Sequence, residues 1–220
     1  MTSADLFNLG ASVYAAMNAQ RAWRGSCDRL AAHFPPGERL RALDLGCGPG
    51  FSTIALAKAR PDLRLVGLDL APRILREGRR RLRTAQLSQI VLLHGDAARL
   101  PFRDACLDVV SGHSFLYLVD RPAVVLAEAR RVLRPGGHLV LMEPNDRPVP
   151  LRNIVSFSHD PRFLFAVLLW RPYSRRHGRY TAATLAATLE AAGFDDFDSE
   201  EVLAGLGIIG WATKAAEGLK

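Results

Sequence analysis

Short apolar runs alternate along the chain with longer amphipathic segments. Runs of the first kind predict buried strands, and amphipathic segments predict helices. Strands that alternate with amphipathic helices form βαβ units, so we expect a parallel sheet with helices on both faces. The predicted strands lie at 40–45, 63–70, 90–94, 108–112 and 138–143, and the predicted helices between them at 50–60, 72–83 and 122–133.

Further elements precede and follow this alternation. Apolar residues from Val13 to Ala31 recur at helical spacing, with a polar interruption at Gln20, and predict an N-terminal amphipathic helix. The apolar run Phe163–Trp170 predicts another helix, which Pro172 is expected to stop. A last helix at 181–192 and two strands, at 195–203 and 205–211, complete the predicted elements.

Together these elements predict one α/β domain, with a Rossmann-like, doubly wound, mostly parallel sheet of seven strands and helices on both faces. The ligand of such a sheet binds beyond the carboxyl ends of the strands, near the point where the strand order reverses. We divide the chain into an N-terminal helical extension (1–37), a cofactor-binding core (38–145), a small cap between the fifth strand and the last helix (146–180), and the last helix with the closing strands (181–220).

The composition agrees with one globular domain. Of the 220 residues 49% are hydrophobic, which is enough to bury a sizeable core. No apolar run approaches the ~20 residues that cross a bilayer, and no basic region precedes an apolar stretch at the N-terminus, so we expect neither a spanning helix nor a secretory signal. Cys27, Cys47 and Cys106 lie far apart without metal-ligand spacing, which predicts a cytoplasmic protein with no disulfide framework and no metal site.

The chain is basic, with 29 Lys and Arg against 22 Asp and Glu and a formal net charge of +7. Arginine supplies 26 of the basic residues. An anionic partner would explain this excess, and so would a solvated surface. Four arginines share the polar face of the predicted helix 72–83, which indicates a solvated surface there. They are Arg73, Arg76, Arg80 and Arg83.

The first predicted strand runs into a glycine-rich loop, from Asp44 to Gly50, that opens a helix. Glycines in such a loop permit positive φ angles and let a ligand approach the backbone closely. The dinucleotide fingerprint G-x-G-x-x-G would need its third glycine where this chain has Phe51. Asp44 would repel a phosphate but suits an ammonium group. A tight turn without a ligand is the remaining explanation.

An acidic residue followed by this glycine spacing resembles the first motif of the class I S-adenosylmethionine-dependent methyltransferases. The resemblance implies S-adenosyl-L-methionine as the cofactor, a sulfonium with an α-amino acid tail and no phosphate. It assigns five residues of the loop to cofactor binding. They are Asp44, Gly46, Cys47, Gly48 and Gly50.

Later strand ends extend the resemblance over residues 40–145. Asp69 ends the second strand, where a carboxylate can accept hydrogen bonds from ribose hydroxyls, and Asp96 follows the third strand, where the family contacts adenine. A charge that favours the next helix is the alternative for Asp69, and an ordinary turn residue is the alternative for Asp96. The other cofactor contacts that the resemblance implies are Leu70, Ala97, Ser111 and Gly112.

The segment Val13–Asn18, with Trp23-Arg24 after it, is similar to the opening of the ubiquinone/menaquinone-biosynthesis C-methyltransferases. Ala15 departs from the Asp of that branch, and the Asn-Val pair that the branch carries after its fourth strand is absent. The resemblance implies a relative that acts on a small-molecule or lipid-like acceptor. It also implies that Tyr14 closes over the cofactor, although a packed helix aromatic is an alternative.

Methyl transfer from a sulfonium is an in-line displacement that depends mainly on orientation and exclusion of water. A base is needed only where the acceptor arrives protonated. His113, in the loop after the fourth strand, is the first candidate base because imidazole titrates near neutral pH, and Tyr117 is the second. A histidine bonded to backbone and a tyrosine lining the acceptor pocket are the alternatives.

The predicted cap combines an apolar helix with basic residues. A buried helix, a pocket for an apolar acceptor and a membrane-docking helix are the three explanations of the apolar run, in that order. The basic cluster Arg175–Arg179 suits an anionic group on a small or amphiphilic acceptor, and equally a solvated loop. The candidate acceptor residues are Phe165, Trp170, Arg176, His177 and Arg179.

Three other functions fit parts of the pattern. A nucleic-acid methyltransferase would use the basic charge, but Ser111–Ser114 replaces the Asn-Pro-Pro-aromatic motif of enzymes that modify base amino groups, so we expect no specific nucleic-acid partner. A cofactor-binding subunit without catalysis would tolerate an inert loop after the fourth strand. A nicotinamide oxidoreductase conflicts with Phe51. The oligomeric state and transient contact with a membrane surface stay open.

Overall fold

Seven strands form one sheet in residues 21–216, the part of the chain that the computed structural model describes. They are β1 (Arg41–Leu45), β2 (Arg64–Asp69), β3 (Val91–His94), β4 (Leu107–His113), β5 (Leu133–Pro144), β6 (Phe194–Val202) and β7 (Gly207–Lys214). Their order across the sheet is β3-β2-β1-β4-β5-β7-β6. The predicted parallel pairing is confirmed for β1 to β5, whereas β7 runs antiparallel to both β5 and β6, so the sheet is mixed.

The helices between the strands are present as predicted, and a short helix in the cap adds to them. They are α1 (Arg21–Leu30), α2 (Phe51–Ala59), α3 (Pro72–Thr84), α4 (Pro122–Val132), α5 (Leu151–Phe157), α6 (Pro161–His177) and α7 (Ala182–Ala191). Of the predicted N-terminal helix, the part before Arg21 lies outside the described residues. α5 was not predicted from the sequence.

The amphipathic pattern of α3 shows why these segments form helices against a sheet. Its residues Ile74, Leu75, Gly78 and Leu82 are buried on one face. The four arginines predicted to lie on the opposite face are all exposed. Burial of the apolar stripe stabilises the helix, and its arginines contribute a solvated, basic surface.

The prediction that Pro172 stops the cap helix is wrong. α6 continues past Pro172 to His177, and Gly178, at φ +124°, ends it. A proline inside a helix removes one backbone N–H and leaves the carbonyl one turn earlier without its donor. That carbonyl belongs to Leu168, which is exposed like Pro172, so water can take the place of the missing donor.

β5 begins at Leu133, earlier than the predicted start at residue 138. Leu133 pairs with Leu107 of β4, and the register shifts before His138 pairs with Val109. The Pro135-Gly136-Gly137 segment therefore forms an irregularity within the strand, with Gly136 at φ +72°. The helix before it ends at Val132, as the glycine-rich turn predicted.

The carboxyl ends of the parallel strands meet at one edge of the sheet. Strand order reverses between β1 and β4, which is where ligands bind in sheets of this kind. Asp44 lies level with Ser111 of β4, and Asp69 lies level with His94 of β3. The loops that follow these strands therefore open onto a single region.

The cap joins the N-terminal helix to this region. Trp23 of α1 and Trp170 of α6 are both buried and meet edge to face, with ring centroids 4.8 Å apart. α6 also packs against the turn Leu116–Leu118 that follows β4. Within residues 21–216, no helix has the length and apolar character needed to cross a bilayer.

Candidate functional site

A cavity of about 250 Å³ lies beyond the carboxyl ends of β1, β2 and β3. Six of its lining residues were predicted from the sequence to hold the cofactor. They are Gly46, Gly48, Asp69, Leu70, Asp96 and Ala97. The opposite wall was not predicted, and it comes from the chain after β4, with Phe115, Leu118, Val119, Asp120 and Arg121.

The backbone of the glycine loop has positive φ angles, which residues with a Cβ atom rarely adopt. Gly46, Gly48 and Gly50 have φ angles of +61°, +53° and +83°. A Cβ atom on Gly46 would overlap the ring of Phe115, which lines the cavity. Glycine at position 46 is therefore required both by the φ angle and by the close approach of Phe115.

Asp69 ties the glycine loop to the start of α3. Its Oδ2 atom accepts a hydrogen bond of 2.9 Å from the backbone N–H of Gly48, and its Oδ1 atom accepts one of 2.8 Å from Ala71. Burial raises the pKa of this carboxyl, and the two backbone donors oppose that rise. A charge that only favours the next helix would explain the contact of Asp69 with Ala71 but not its contact with Gly48.

Asp96 lines the cavity and is exposed to solvent. Its Oδ1 atom accepts a hydrogen bond of 2.8 Å from the backbone N–H of Ala98. This contact is that of a turn aspartate, and it fixes the carboxylate at the cavity rim. Ala97 beside it is buried and lines the same wall.

Asp44 is buried beneath the glycine loop. Its Oδ2 atom accepts hydrogen bonds of 2.7 Å from both Ser52 and Thr53 at the start of α2. Its Oδ1 atom has no hydrogen-bond partner within residues 21–216. Burial raises the pKa of this carboxyl to about 6, with a smaller contribution from the charge of Asp69, and the hydroxyls of Thr53, Ser52 and Ser111 limit the rise. A buried acceptor of this kind is suited to a cationic donor.

A second, smaller cavity of about 20 Å³ lies against the glycine loop. Gly46 and Gly48 line both cavities, so the loop separates them. The other residues of the smaller cavity come from the loop and from α1, α2 and β4. They are Cys27, Cys47, Pro49, Phe51, Ser52 and His113.

His113 is buried at the end of β4 and faces the smaller cavity. Its Nε2 atom lies 2.9 Å from the hydroxyl of Ser26, and that hydroxyl donates its proton to the carbonyl of Trp23 at 2.7 Å. The hydroxyl oxygen must therefore accept from Nε2–H, which assigns the neutral tautomer with a lone pair on Nδ1. Burial lowers the pKa of His113 to about 4. At neutral pH the imidazole is uncharged and held in place by α1.

Five other residues predicted for the site line neither cavity, Asp44 and Gly50 of the glycine loop among them. Ser111 is buried within β4, and its hydroxyl donates to the carbonyl of Leu43 at 3.4 Å. Gly112 is buried between Leu141 and Phe115. Tyr117 is buried in the turn after β4. Their assignments to cofactor and catalysis stay predictions.

Glu143, at the end of β5, organises the wall that the sequence did not predict. Its buried carboxylate accepts hydrogen bonds from the backbone N–H groups of Phe115, Leu116 and Tyr117, at 3.1, 2.7 and 3.1 Å. Burial raises its pKa to about 7, and the three backbone donors oppose that rise. An acidic residue at the end of an otherwise apolar strand was the available signal.

The candidate acceptor residues of the cap lie away from both cavities. Phe165, Arg176 and His177 are exposed, and Trp170 packs in the core against α1. Arg179 donates to the carbonyl of Arg171 and to the hydroxyl of Ser174, and lies 3.7 Å from Asp146. Their role in acceptor binding stays a prediction, and Tyr14 lies outside the described residues.

Residues 43–141 match the family described as "Methyltransferase domain". The chain is 36% identical over 146 residues to a demethylmenaquinone methyltransferase of Bacillus cereus, which covers 63% of this chain and 60% of that protein. It is 46% identical over 111 residues, 50% of this chain and 31% of that protein, to an uncharacterized 37.1 kDa protein in transposon TN4556 of Streptomyces fradiae. The chain therefore spans less than two thirds of either relative.

A solved structure shares the fold over nearly the whole chain. It is the phosphoethanolamine N-methyltransferase 2 of Haemonchus contortus in complex with S-adenosyl-L-methionine, with a TM-score of 0.74 at 14% identity, over 98% of this chain and 60% of that one. At this identity the likeness shows a common fold.

Proposed function

This chain belongs to the class I S-adenosylmethionine-dependent methyltransferases, and we propose that it transfers a methyl group from S-adenosyl-L-methionine to a small, lipid-like acceptor. The proposal rests on one observation above the others. Two carboxylates, Asp69 and Asp96, line the larger cavity, and a third, Asp44, is buried beneath the glycine loop that separates the two cavities. This arrangement suits a cationic ligand with hydroxyl and amino donors.

The residues present fit this cofactor. The Oδ1 atom of Asp44 is a buried acceptor in need of a donor, which the ammonium group of the cofactor tail would supply. Asp69 keeps lone pairs for ribose hydroxyls after its two backbone contacts, and Asp96 presents a carboxylate at the cavity. The negative charge of Asp44 beneath the glycine loop would repel a pyrophosphate, which argues against the nicotinamide alternative, whereas Asp69 suits the ribose of either cofactor.

We place the adenosine in the larger cavity and the amino acid tail toward the smaller one. When bound, the cofactor supplies an electrophilic methyl group on sulfur. The glycine loop approaches it closely, and the wall from Phe115 to Arg121 excludes water from one side. His113, oriented by Ser26 at the smaller cavity, is the candidate base, and its lowered pKa of about 4 makes it a weak base at neutral pH.

The acceptor class is inferred from the relatives and from the apolar cap. The Bacillus cereus relative is named for demethylmenaquinone, so we propose a quinone-like ring with an apolar tail as the first candidate. A cofactor-binding subunit without catalysis is the second candidate, because neither His113 nor Tyr117 lines the larger cavity.

Two measurements test the proposal. Calorimetry should show binding of S-adenosylhomocysteine and S-adenosylmethionine but not of NADH. Transfer of a labelled methyl group should then be detected with hydroxyquinone-type acceptors that carry an apolar chain. Binding of NADH without a response to either sulfur compound would contradict the methyltransferase proposal. Cofactor binding with no transfer to any acceptor in a lipid and metabolite extract would favour the non-catalytic subunit.

A further inference from the structure

We propose that the outer face of α6 docks on membranes that carry anionic lipids. This outer face consists of Phe165, Leu168 and Leu169, whose side chains are exposed over 45% to 69% of their surface. Leu151 and Phe157 of the preceding helix α5 are exposed as well, with Phe157 against Phe163 on the buried side of α6. Five of the eight large apolar side chains that the described residues expose therefore lie on these two helices.

α6 is apolar on two opposite sides. One side, with Phe163, Val167 and Trp170, is buried against the rest of the protein. The other side repeats Phe165, Leu168 and Leu169 at helical spacing toward solvent. Burial of the first side explains the fold, whereas nothing within residues 21–216 covers the second. Apolar side chains grouped in this way mark a contact surface rather than chance exposure.

The positive charge of the cap indicates that the partner of this face is anionic. The cap, residues 146–180, contains seven arginines against two acidic residues, Asp146 and Asp160, so it holds five of the seven net positive charges of the chain. Four of these arginines are exposed and form no ion pair with any described residue. They are Arg152, Arg162, Arg175 and Arg176.

An anionic bilayer satisfies both features at once. Acyl chains at the membrane interface take up Phe and Leu side chains, and lipid phosphates pair with guanidinium groups at the rim. A nucleic acid would pair with the arginines but leave the leucines in contact with water. A second copy of this chain would cover the leucines but bring two equally basic segments together.

The position of the outer face connects it to the site. The buried side of α6 packs against the turn Leu116–Leu118, which follows β4 beside the cofactor cavity. A membrane-bound molecule would therefore hold this edge of the site near the lipid. The docking itself does not depend on the acceptor, because it needs only the outer face and its arginines.

Sedimentation with lipid vesicles tests the inference on the full chain without cofactor. We expect binding to vesicles that contain phosphatidylglycerol and much weaker binding to pure phosphatidylcholine vesicles. Removing two charges with Arg162→Gln and Arg175→Gln should weaken binding about thirty-fold at low salt. Each arginine contributes roughly 1 kcal/mol to binding near an anionic surface, and each 1.4 kcal/mol changes the affinity about tenfold. Leu168→Ser with Leu169→Ser should weaken binding at every salt concentration.

Matched variants elsewhere serve as controls. Arg73→Gln with Arg76→Gln removes two exposed charges from α3, and Val91→Ser removes an exposed apolar group from edge strand β3. Both should bind vesicles as the parent chain does. An unchanged thermal unfolding midpoint for every variant would show that each is folded, and because it needs no cofactor it keeps this test separate from that of the proposed function.

Several outcomes would overturn the inference. Equal binding to both kinds of vesicle, or equal losses in the α6 and α3 variants, would exclude a specific anionic docking face. A dimer that Leu168→Ser with Leu169→Ser dissociates, together with no vesicle binding, would assign the face to self-association. Binding of duplex RNA in place of vesicles would assign it to nucleic acid.

Discussion

Gly46 shows how a single residue sets the shape of the cofactor cavity. Its φ angle of +61° lies in the left-handed region, and the ring of Phe115 occupies the space where a Cβ would be. The two residues are 69 positions apart, so the glycine requirement has one cause that is local and another that arises only in the folded protein.

Gly46→Ala should therefore damage the cavity. We expect the affinity for S-adenosylhomocysteine to fall at least tenfold, because the Phe115 ring must move into the space the ligand needs, and stability to fall by about 1–3 kcal/mol. Gly136→Ala is the matched control, since Gly136 has a similar φ of +72° but open space around its Cα. It should cost about 1–2 kcal/mol of stability and leave the affinity unchanged. Equal affinities in the two variants, by calorimetry, would refute the steric explanation.

His113 makes the stability of the protein depend on pH. Its pKa is lowered from the ordinary 6.5 to about 4, so between these values the unfolded chain binds a proton that the folded protein does not. The stability that neutral His113 contributes is present above pH 6.5 and is lost as the pH falls through about 4. From pH 7 to pH 5 this loss is about 2 kcal/mol.

His113→Asn should remove this loss. Urea unfolding at pH 7 and pH 5 would show the variant losing about 2 kcal/mol less than the parent chain over that interval. His159→Asn, at an exposed histidine before α6, should keep the parent behaviour. If the His113 variant kept it as well, His113 would not be a buried neutral imidazole.

At the scale of elements, the end of β5 supports the turn after β4. The carboxylate of Glu143 accepts three hydrogen bonds from backbone N–H groups of that turn. The same turn contacts α6, and Phe115 beside it forms part of the cavity wall. Glu143 touches neither cavity, so we regard it as a positioning residue. A buried carboxylate with three donors holds a loop more firmly than apolar packing alone.

Glu143→Gln should loosen this turn. One oxygen accepts from Phe115 and Leu116 and the other from Tyr117, so an amide group must leave at least one donor unpaired. Hydrogen exchange at these three amides should accelerate in the variant. Glu190→Gln, at an exposed position on α7, should leave them protected.

The pH dependence of the Glu143 variant has a defined sign. The pKa of Glu143 is raised from 4.5 to about 7, so the stability that its protonated form contributes is lost as the pH rises between these values. The variant lacks this loss, and its deficit relative to the parent should shrink by about 2 kcal/mol between pH 5 and pH 7.5. A deficit that grows with pH would contradict the burial of this carboxylate.

At the scale of the whole molecule, chemistry and charge are divided between two regions. The carboxylates of Asp44, Asp69 and Asp96 gather at the carboxyl edge of the sheet, because parallel strands bring their ends together. The unpaired arginines gather on α5 and α6, inserted between β5 and α7. The net charge of +7 is thereby concentrated in the cap segment, away from a cofactor site that is acidic.

The sequence by itself determined the alternation of strands and helices, the glycine loop and the acidic residues at the ends of β1, β2 and after β3. These features depend on local conformation and on hydrophobic periodicity, both of which are written in neighbouring residues. The same holds for the exposed arginines of α3, whose spacing alone places them on one face.

Only the tertiary structure decided how distant residues meet. It turned His113 toward Ser26 and the smaller cavity, brought Phe115 against Gly46, and set Glu143 under the turn after β4. It also allows α6 to continue past Pro172, because the unpaired carbonyl of Leu168 lies at an exposed position where water can donate to it. Each of these outcomes depends on which surfaces pack together across tens of residues, and no local pattern records that packing.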